Sequence, residues 1–379
     1  MGSPRPALTL VNSAALIDFA PAARLALLAV VIALLPLSYV WLRSRRSDAH
    51  QRLSALTALT LFLTFDLVVF GAFTRLSDSG LGCPDWPGCY GQASPLGAVA
   101  DIRMAEQTQP SGPVSWNKAW IEMTHRYLAM TVGVLILVMA VVSWLERRRL
   151  PFSPWWPIVT LVWVVIQGLF GKYTVTLKLY PAIVTLHLLG GVILLALLAI
   201  QHEAFRARAI VLRRPTRTWA LWALAALMIQ TVLGGWVSTN YAVLACREFP
   251  LCGGRWWPSM DFAAGFTVLR ELGRTADGGV LTVEALVAIH MAHRWFAVVL
   301  LLCTGALIRH LFKERSVVAT RFAWGLVALT LAQLASGLSN VVLGWPLVAA
   351  LAHSAGAAAL ALLLTMLLAR ARRASWGLA

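Results

Sequence analysis

Four histidines, His125, His187, His293 and His353, each lie near the start of a strongly apolar stretch. They fall in two pairs, one per half of the chain, spaced 62 and 60 residues apart. An imidazole inside a membrane-spanning helix is costly and marks function by default. Two imidazoles on separate helices can grip one metal from opposite sides. Zinc asks for four ligands, whereas tetrapyrrole iron is satisfied axially by two. Neither half supplies enough other Cys, His or carboxylate inside its apolar stretches to close a zinc site. The chemistry to expect is bis-imidazole ligation of heme iron at two sites. A hydrogen-bonded helix contact would explain one such histidine, but not four in register.

The two sites differ. The first reads Glu122-Met-Thr-His125-Arg126 and the second His290-Met-Ala-His293-Arg294. Residues three apart share a helix face, so Glu122 is expected beside His125, where His290 stands in the second half. A carboxyl group in a low-dielectric pocket can take and pass protons. The asymmetry points to chemistry on a bound porphyrin in the first half and a permanent electron-transfer heme in the second. Porphyrin propionates need cations near water, and Arg75, Arg126 and Arg294 are the candidates.

Apolar helices must position these groups. The chain has 379 residues, 59% of them hydrophobic and only 13% charged, which excludes an ordinary soluble domain. Nine spans are expected, at 22–42, 54–74, 119–145, 155–175, 182–201, 219–239, 283–308, 322–343 and 347–369. The first is read as a helix and not a signal peptide, because Arg43, Arg45 and Arg46 follow it where a small-residue cleavage site would stand. The net charge of +16 does not imply nucleic acid. The basic residues sit in alternate short connections: Arg52 with the three just named, Arg147 to Arg149, then Arg206, Arg208, Arg213, Arg214 and Arg217. Arg309, Lys313, Arg315 and Arg321 come next, and Arg370, Arg372 and Arg373 last. The positive-inside rule makes that side cytoplasmic, with the N-terminus outside and the C-terminus inside. His50, His202 and His310 fall among these arginines and are expected in water. The outer loops after Thr74 and Thr239 carry Cys83 with Cys89 and Cys246 with Cys252. In an oxidising compartment each pair can close as a disulfide, and a four-thiolate metal site is the alternative.

The chain repeats. Gly71–Gly91 aligns without gaps to Gly234–Gly254, an offset of 163 that superimposes both cysteine pairs and Pro87 on Pro250. His125-Arg126 matches His293-Arg294 at offset 168, and Gln167 and His187 match Gln333 and His353 at 166. Each half holds four spans, so the halves share one orientation. The expected fold is an all-α polytopic membrane protein: two parallel-repeat four-helix bundles, 51–215 and 216–379, plus an extra N-terminal transmembrane helix within 1–50. Helices of the repeat carry Gln167/Gly171, Gln230/Gly234 and Gln333/Gly337, with Asp66 and Gly71 in the first. These are either helix-packing positions joined by amide hydrogen bonds, or glycines that leave room for a flat macrocycle. Asp66 is the one carboxylate deep in an apolar span, where pairing with an Arg or a histidine is expected.

These residues resemble the heme A synthase family. The likeness spans roughly 55–370 and rests on TRLSDSGLGCPDWPGC, on Glu122-x-x-His125-Arg126 and on the duplicated unit with two histidine pairs. The resemblance implies oxidation of a methyl group of heme O to the formyl group of heme A, through a gem-diol that loses water, for terminal oxidase assembly. It implies that His125 and His187 flank heme O with Glu122 as the functional carboxylate. It implies that His293 and His353 ligate a heme b cofactor, and that Cys83–Cys89 and Cys246–Cys252 are the outer-loop cysteine pairs. Implied partners are heme O, the heme O synthase (protoheme farnesyltransferase) that supplies it, an electron donor of unspecified class, membrane lipid and a further copy of the chain in a homo-oligomer. The implied location is a bacterial inner (plasma) membrane. The first span departs from the family's usual eight. A di-heme cytochrome b-type electron carrier is the alternative, and a transporter with a histidine proton relay a third reading.

Overall fold

The computed structural model describes residues 20–150, 153–206 and 209–375. Arg208, and the side chains of Arg372 and Arg373, lie outside the described residues. The described residues form eleven helices and no strand: α1 (Ala20–Arg43), α2 (Ala49–Leu76), α3 (Val99–Thr108), α4 (Trp116–Leu145), α5 (Trp155–Thr176), α6 (Pro181–Arg206), α7 (Arg214–Thr239), α8 (Phe262–Gly265), α9 (Val283–Phe312), α10 (Val317–Val342) and α11 (Leu347–Ser375). Nine of them are long and apolar enough to cross a membrane, and they coincide with the nine expected spans. Several begin earlier than hydropathy indicates, because polar caps extend them. Asp48 accepts from the Gln51 N–H at 2.7 Å, Ser115 from Lys118 at 3.4 Å and Ser316 from Ala319 at 3.4 Å.

Helix α2 packs on α4 and α6, and α5 packs on both, so these four close a ring. Helices α7, α9, α10 and α11 close a second ring in the same order, and α6 and α2 meet α7 and α11 between the rings. In lipid, apolar burial does not drive helices together; close backbone approach and polar ties do. Ala220, Ala223, Ala319 and Ala323 are accordingly sealed in the contacts of the second ring. Thr57, Thr60 and Thr64 are sealed on α2, each hydroxyl donating to the carbonyl four residues back. Helix α1 stands outside the rings. It lays Leu25, Ala29, Ala33 and Val40, a stripe at helical spacing, against α4 and α2.

Polar contacts tie the two rings at both ends. At the cysteine-loop end the Arg75 guanidinium donates to the Ser238 carbonyl, pairs with Asp78 at 3.2 Å and lies 4.1 Å over the Tyr241 ring. The Tyr241 hydroxyl donates to Asp78 at 2.6 Å. At the other end Arg370 of α11 makes two 2.8 Å bonds to Glu203 of α6. Glu203 is 1% exposed. Removing one partner of a buried pair strands the other charge, so Arg370→Ala is expected to cost about 3 kcal/mol or more. A fall in the thermal midpoint of the detergent-solubilised protein, absent in Arg149→Ala at an exposed pair, checks it.

Candidate functional site

The four histidines occupy matching places. His125 is the tenth residue of α4 and His293 the eleventh of α9; His187 and His353 are each the seventh of α6 and α11. At 1.5 Å per residue that is about 14 and 15 Å along the first pair of helices and about 9 Å along the second. His125 therefore lies farther into its helix than the expected start at 119 suggested, because Ser115 caps α4 at Trp116. All four rings are half-buried.

Each imidazole is seated against a glycine on the neighbouring helix. A Cβ added at Gly71 would lie 2.9 Å from His125 Nε2, and at Gly171 3.5 Å from His187 Cε1. At Gly234 it would lie 3.0 Å from His293 Cε1, and at Gly337 3.1 Å from His353 Cε1. The space these glycines leave is thus taken by the histidines, not held open as a slot for a macrocycle. The glutamines act as ties between helices. Gln230 donates to the His293 carbonyl at 3.1 Å and Gln333 to the His353 carbonyl at 3.0 Å. Gln167 is buried and lies against Gly190, one turn beyond His187.

In the second ring the His293 and His353 ring centres are 6.5 Å apart, with planes at 78°. An imidazole nitrogen binds a transition metal at about 2.0–2.1 Å and sits roughly 1.1 Å from its ring centre, so two imidazoles on one metal have centres about 6.3 Å apart. The separation suits a shared metal. Ser336 Oγ lies 3.1 Å from His353 Nδ1, and Gln230 Nε2 lies 3.1 Å from His293 Nδ1 and 3.3 Å from its Nε2. In the first ring His125 of α4 and His187 of α6 stand on opposite helices of the ring. Phe70 lies parallel to the His125 ring at 6.4 Å. His187 Nδ1 is buried with no hydrogen-bond partner among the described residues.

Glu122 is 3% exposed and both of its oxygens are engaged. One accepts the Cys83 N–H at 2.8 Å and the other pairs with Arg126. Arg126 then donates to the carbonyls of Asp85, Pro87 and Gly88. The second ring repeats the device with one change. Arg294 donates to His290 Nε2 at 3.1 Å and to the carbonyls of Leu251 and Cys246. These arginines, expected to face propionates, instead bolt the cysteine loops onto their helices, and Arg75 is spent between the rings. Their donors were legible in sequence, but not their targets, since the loop folds back over the helix. Lys172, one residue after Gly171, has no carboxylate partner among the described residues; its ammonium lies 5.8 Å over the Trp86 ring.

Both cysteine pairs are bonded, with Cα atoms 4.9 and 5.1 Å apart. The four-thiolate alternative is thereby overturned. Each bridge is followed by the same tight turn, Cys89 pairing with Gln92 and Cys252 with Arg255. Among the described residues no cluster of three or more His, Cys, Asp or Glu could hold a metal ion. Asp66, expected to find an Arg or a histidine, is exposed on α2 and makes no ion pair among the described residues. His202, expected in water, is 6% exposed, and His50 packs edge-on against Phe205 at 5.3 Å.

Residues 54–366 match the family model of the cytochrome oxidase assembly protein COX15-CtaA. A heme A synthase of Shewanella oneidensis is 37% identical over 318 residues, covering 83% of this chain and 94% of that protein. Heme A synthases of Caulobacter vibrioides and Halalkalibacterium halodurans are 28% and 27% identical, covering 86% and 80% of this chain and 98% and 92% of those proteins. With nine apolar helices of spanning length and a match over most of its residues, this multi-pass membrane chain belongs to the COX15-CtaA family of cytochrome oxidase assembly proteins.

Proposed function

We infer that the protein is a heme A synthase, an enzyme that oxidises one methyl group of heme O to the formyl group of heme A. The observation that carries this reading is the doubled site. Two imidazole pairs, each ring seated on a glycine of the next helix, stand in two closed rings that differ at Glu122 and His290. The two rings support a division into units 51–215 and 216–379, the first for substrate and the second for a resident group.

In the first unit His125 and His187 hold the substrate from either side. Glu122, tied to Cys83 and Arg126 three residues before His125, holds the outer loop onto α4 and is the carboxyl group proposed to serve that site. Lys172 offers a propionate an unpaired cation. In the second unit the residues fit a heme b: the imidazole spacing suits two histidines that would hold one metal, and Ser336 Oγ beside His353 Nδ1 orients that ring. A heme b there would supply one-electron transfer. The positive-inside pattern supports an outer-facing site with the C-terminus cytoplasmic. Heme O is supplied by a heme O synthase, and the electrons by a donor outside the chain. The electron-carrier alternative is not favoured, because the relatives are heme A synthases and the two sites are built differently.

The test is mass analysis of hemes extracted from cells producing His125→Ala or Glu122→Ala. Formyl product is expected to fall by at least about 100-fold, the loss typical when an acid–base or positioning group is removed. Normal amounts of heme A in both variants would refute the first unit as the reaction site.

A further inference from the structure

The two rings present the same helices to their histidines but not the same hydrogen bonds. In the second ring Ser336 stands one residue before Gly337, the glycine that seats His353. Its hydroxyl proton goes to the Ala332 carbonyl at 2.8 Å. Its oxygen lone pair therefore faces His353 Nδ1 at 3.1 Å and accepts the proton there. That assigns the tautomer: Nδ1 carries hydrogen and Nε2 is left with the lone pair that binds iron. In the first ring the matching position, at the same offset of 166 that relates His187 to His353, is Phe170. Phenylalanine accepts nothing, and among the described residues His187 Nδ1 is buried without a partner.

We propose that Ser336 is a positioning residue that makes the second site a permanent heme site, and that Phe170, by withholding the same hydrogen bond from His187, makes the first site exchangeable. The inference rests on the heme A synthase reading and adds a reason why one bound tetrapyrrole stays and the other leaves. A hydrogen bond from Nδ1–H fixes the ring's orientation and makes the imidazole a stronger donor to the metal. A stronger donor favours ferric over ferrous iron, so it also holds the midpoint potential down. A resident electron carrier needs tight retention. An enzyme that must admit heme O and release heme A needs the opposite, and an imidazole with no anchor on Nδ1 can swing off the iron at little cost. The difference lies within a single residue position on equivalent helices, α5 and α10.

The experiment uses the purified full-length protein. Heme loss is followed by transfer to apomyoglobin, and the midpoint of the second-site heme by optical redox titration. Ser336→Ala is expected to speed loss of the second-site heme about 10-fold or more, the usual effect of removing a partner of a metal-bound histidine. It is also expected to raise the midpoint. Ser336→Thr, which keeps the hydroxyl, is expected to restore both. In the first site Phe170→Ser is expected to slow release of the formyl product about 10-fold, while Phe170→Ala, which opens the same space without an acceptor, is not. An unchanged loss rate and midpoint in Ser336→Ala, in a protein whose wild type carries the heme and whose His353→Ala form lacks it, would overturn this inference alone. A wild-type protein that retains no heme on His293 and His353 would overturn the functional reading with it.

Discussion

Arg126→Leu is expected to be among the most destabilising single changes in the chain. It strands the Glu122 carboxylate, 3% exposed, without its guanidinium and leaves it to the backbone N–H groups of Gly82 and Cys83. It also removes the donor shared by three loop carbonyls. Losing one partner of a buried pair costs about 3–5 kcal/mol. The thermal midpoint should fall, and the Cys83–Cys89 loop should become open to protease and to labelling after mild reduction. Glu122→Leu should do likewise. The double variant should be less destabilised than the sum of the two, because two apolar residues replace a buried pair far better than one does. Strict additivity in that cycle would mean that the pair does not hold the loop. Glu122 thus has a structural role beside the chemical one proposed for it. Loss of formyl product in Glu122→Ala is informative when read beside loop protection in the same variant.

His353→Ala and His293→Ala are expected to remove the resident heme, lowering its retention by more than about 100-fold, beyond what losing an outer partner costs. His125→Ala and His187→Ala should leave its bis-imidazole spectrum intact. The reason is geometric. Each histidine pair is carried by helices of its own ring, α4 with α6 and α9 with α11, and each ring nests against a glycine of that same ring. Reduced-minus-oxidised spectra of the four purified variants separate the sites. Loss of the spectrum in all four would sink the two-site arrangement.

The nine spans, the four histidines and the loop cysteines are legible in the sequence alone, because hydropathy and spacing are properties of the chain taken in order. Helical periodicity puts Glu122 and His125, and likewise His290 and His293, on a shared helix face for the same reason. What a helix faces depends on its rotation about its own axis, and that is set by neighbours distant in sequence. Asp66 points outward, and the glycines of α2, α5, α7 and α10 seat imidazoles instead of lining a slot.

The chain order by itself determined the class of protein, the number of spans and which residue types could ligate a metal, since these follow from composition and period. Only the folded arrangement decided what the charged side chains are for. Arg126 and Arg294 turn back onto loop carbonyls, Arg75 and Arg370 join the rings, and His202 is buried. A buried cation takes whichever acceptor the packing brings within 3 Å or so, and no linear pattern names that acceptor. The contrast between Ser336 and Phe170 has the same origin. Their positions were visible as letters, but that one hydroxyl meets an imidazole nitrogen is a fact of two helices lying side by side.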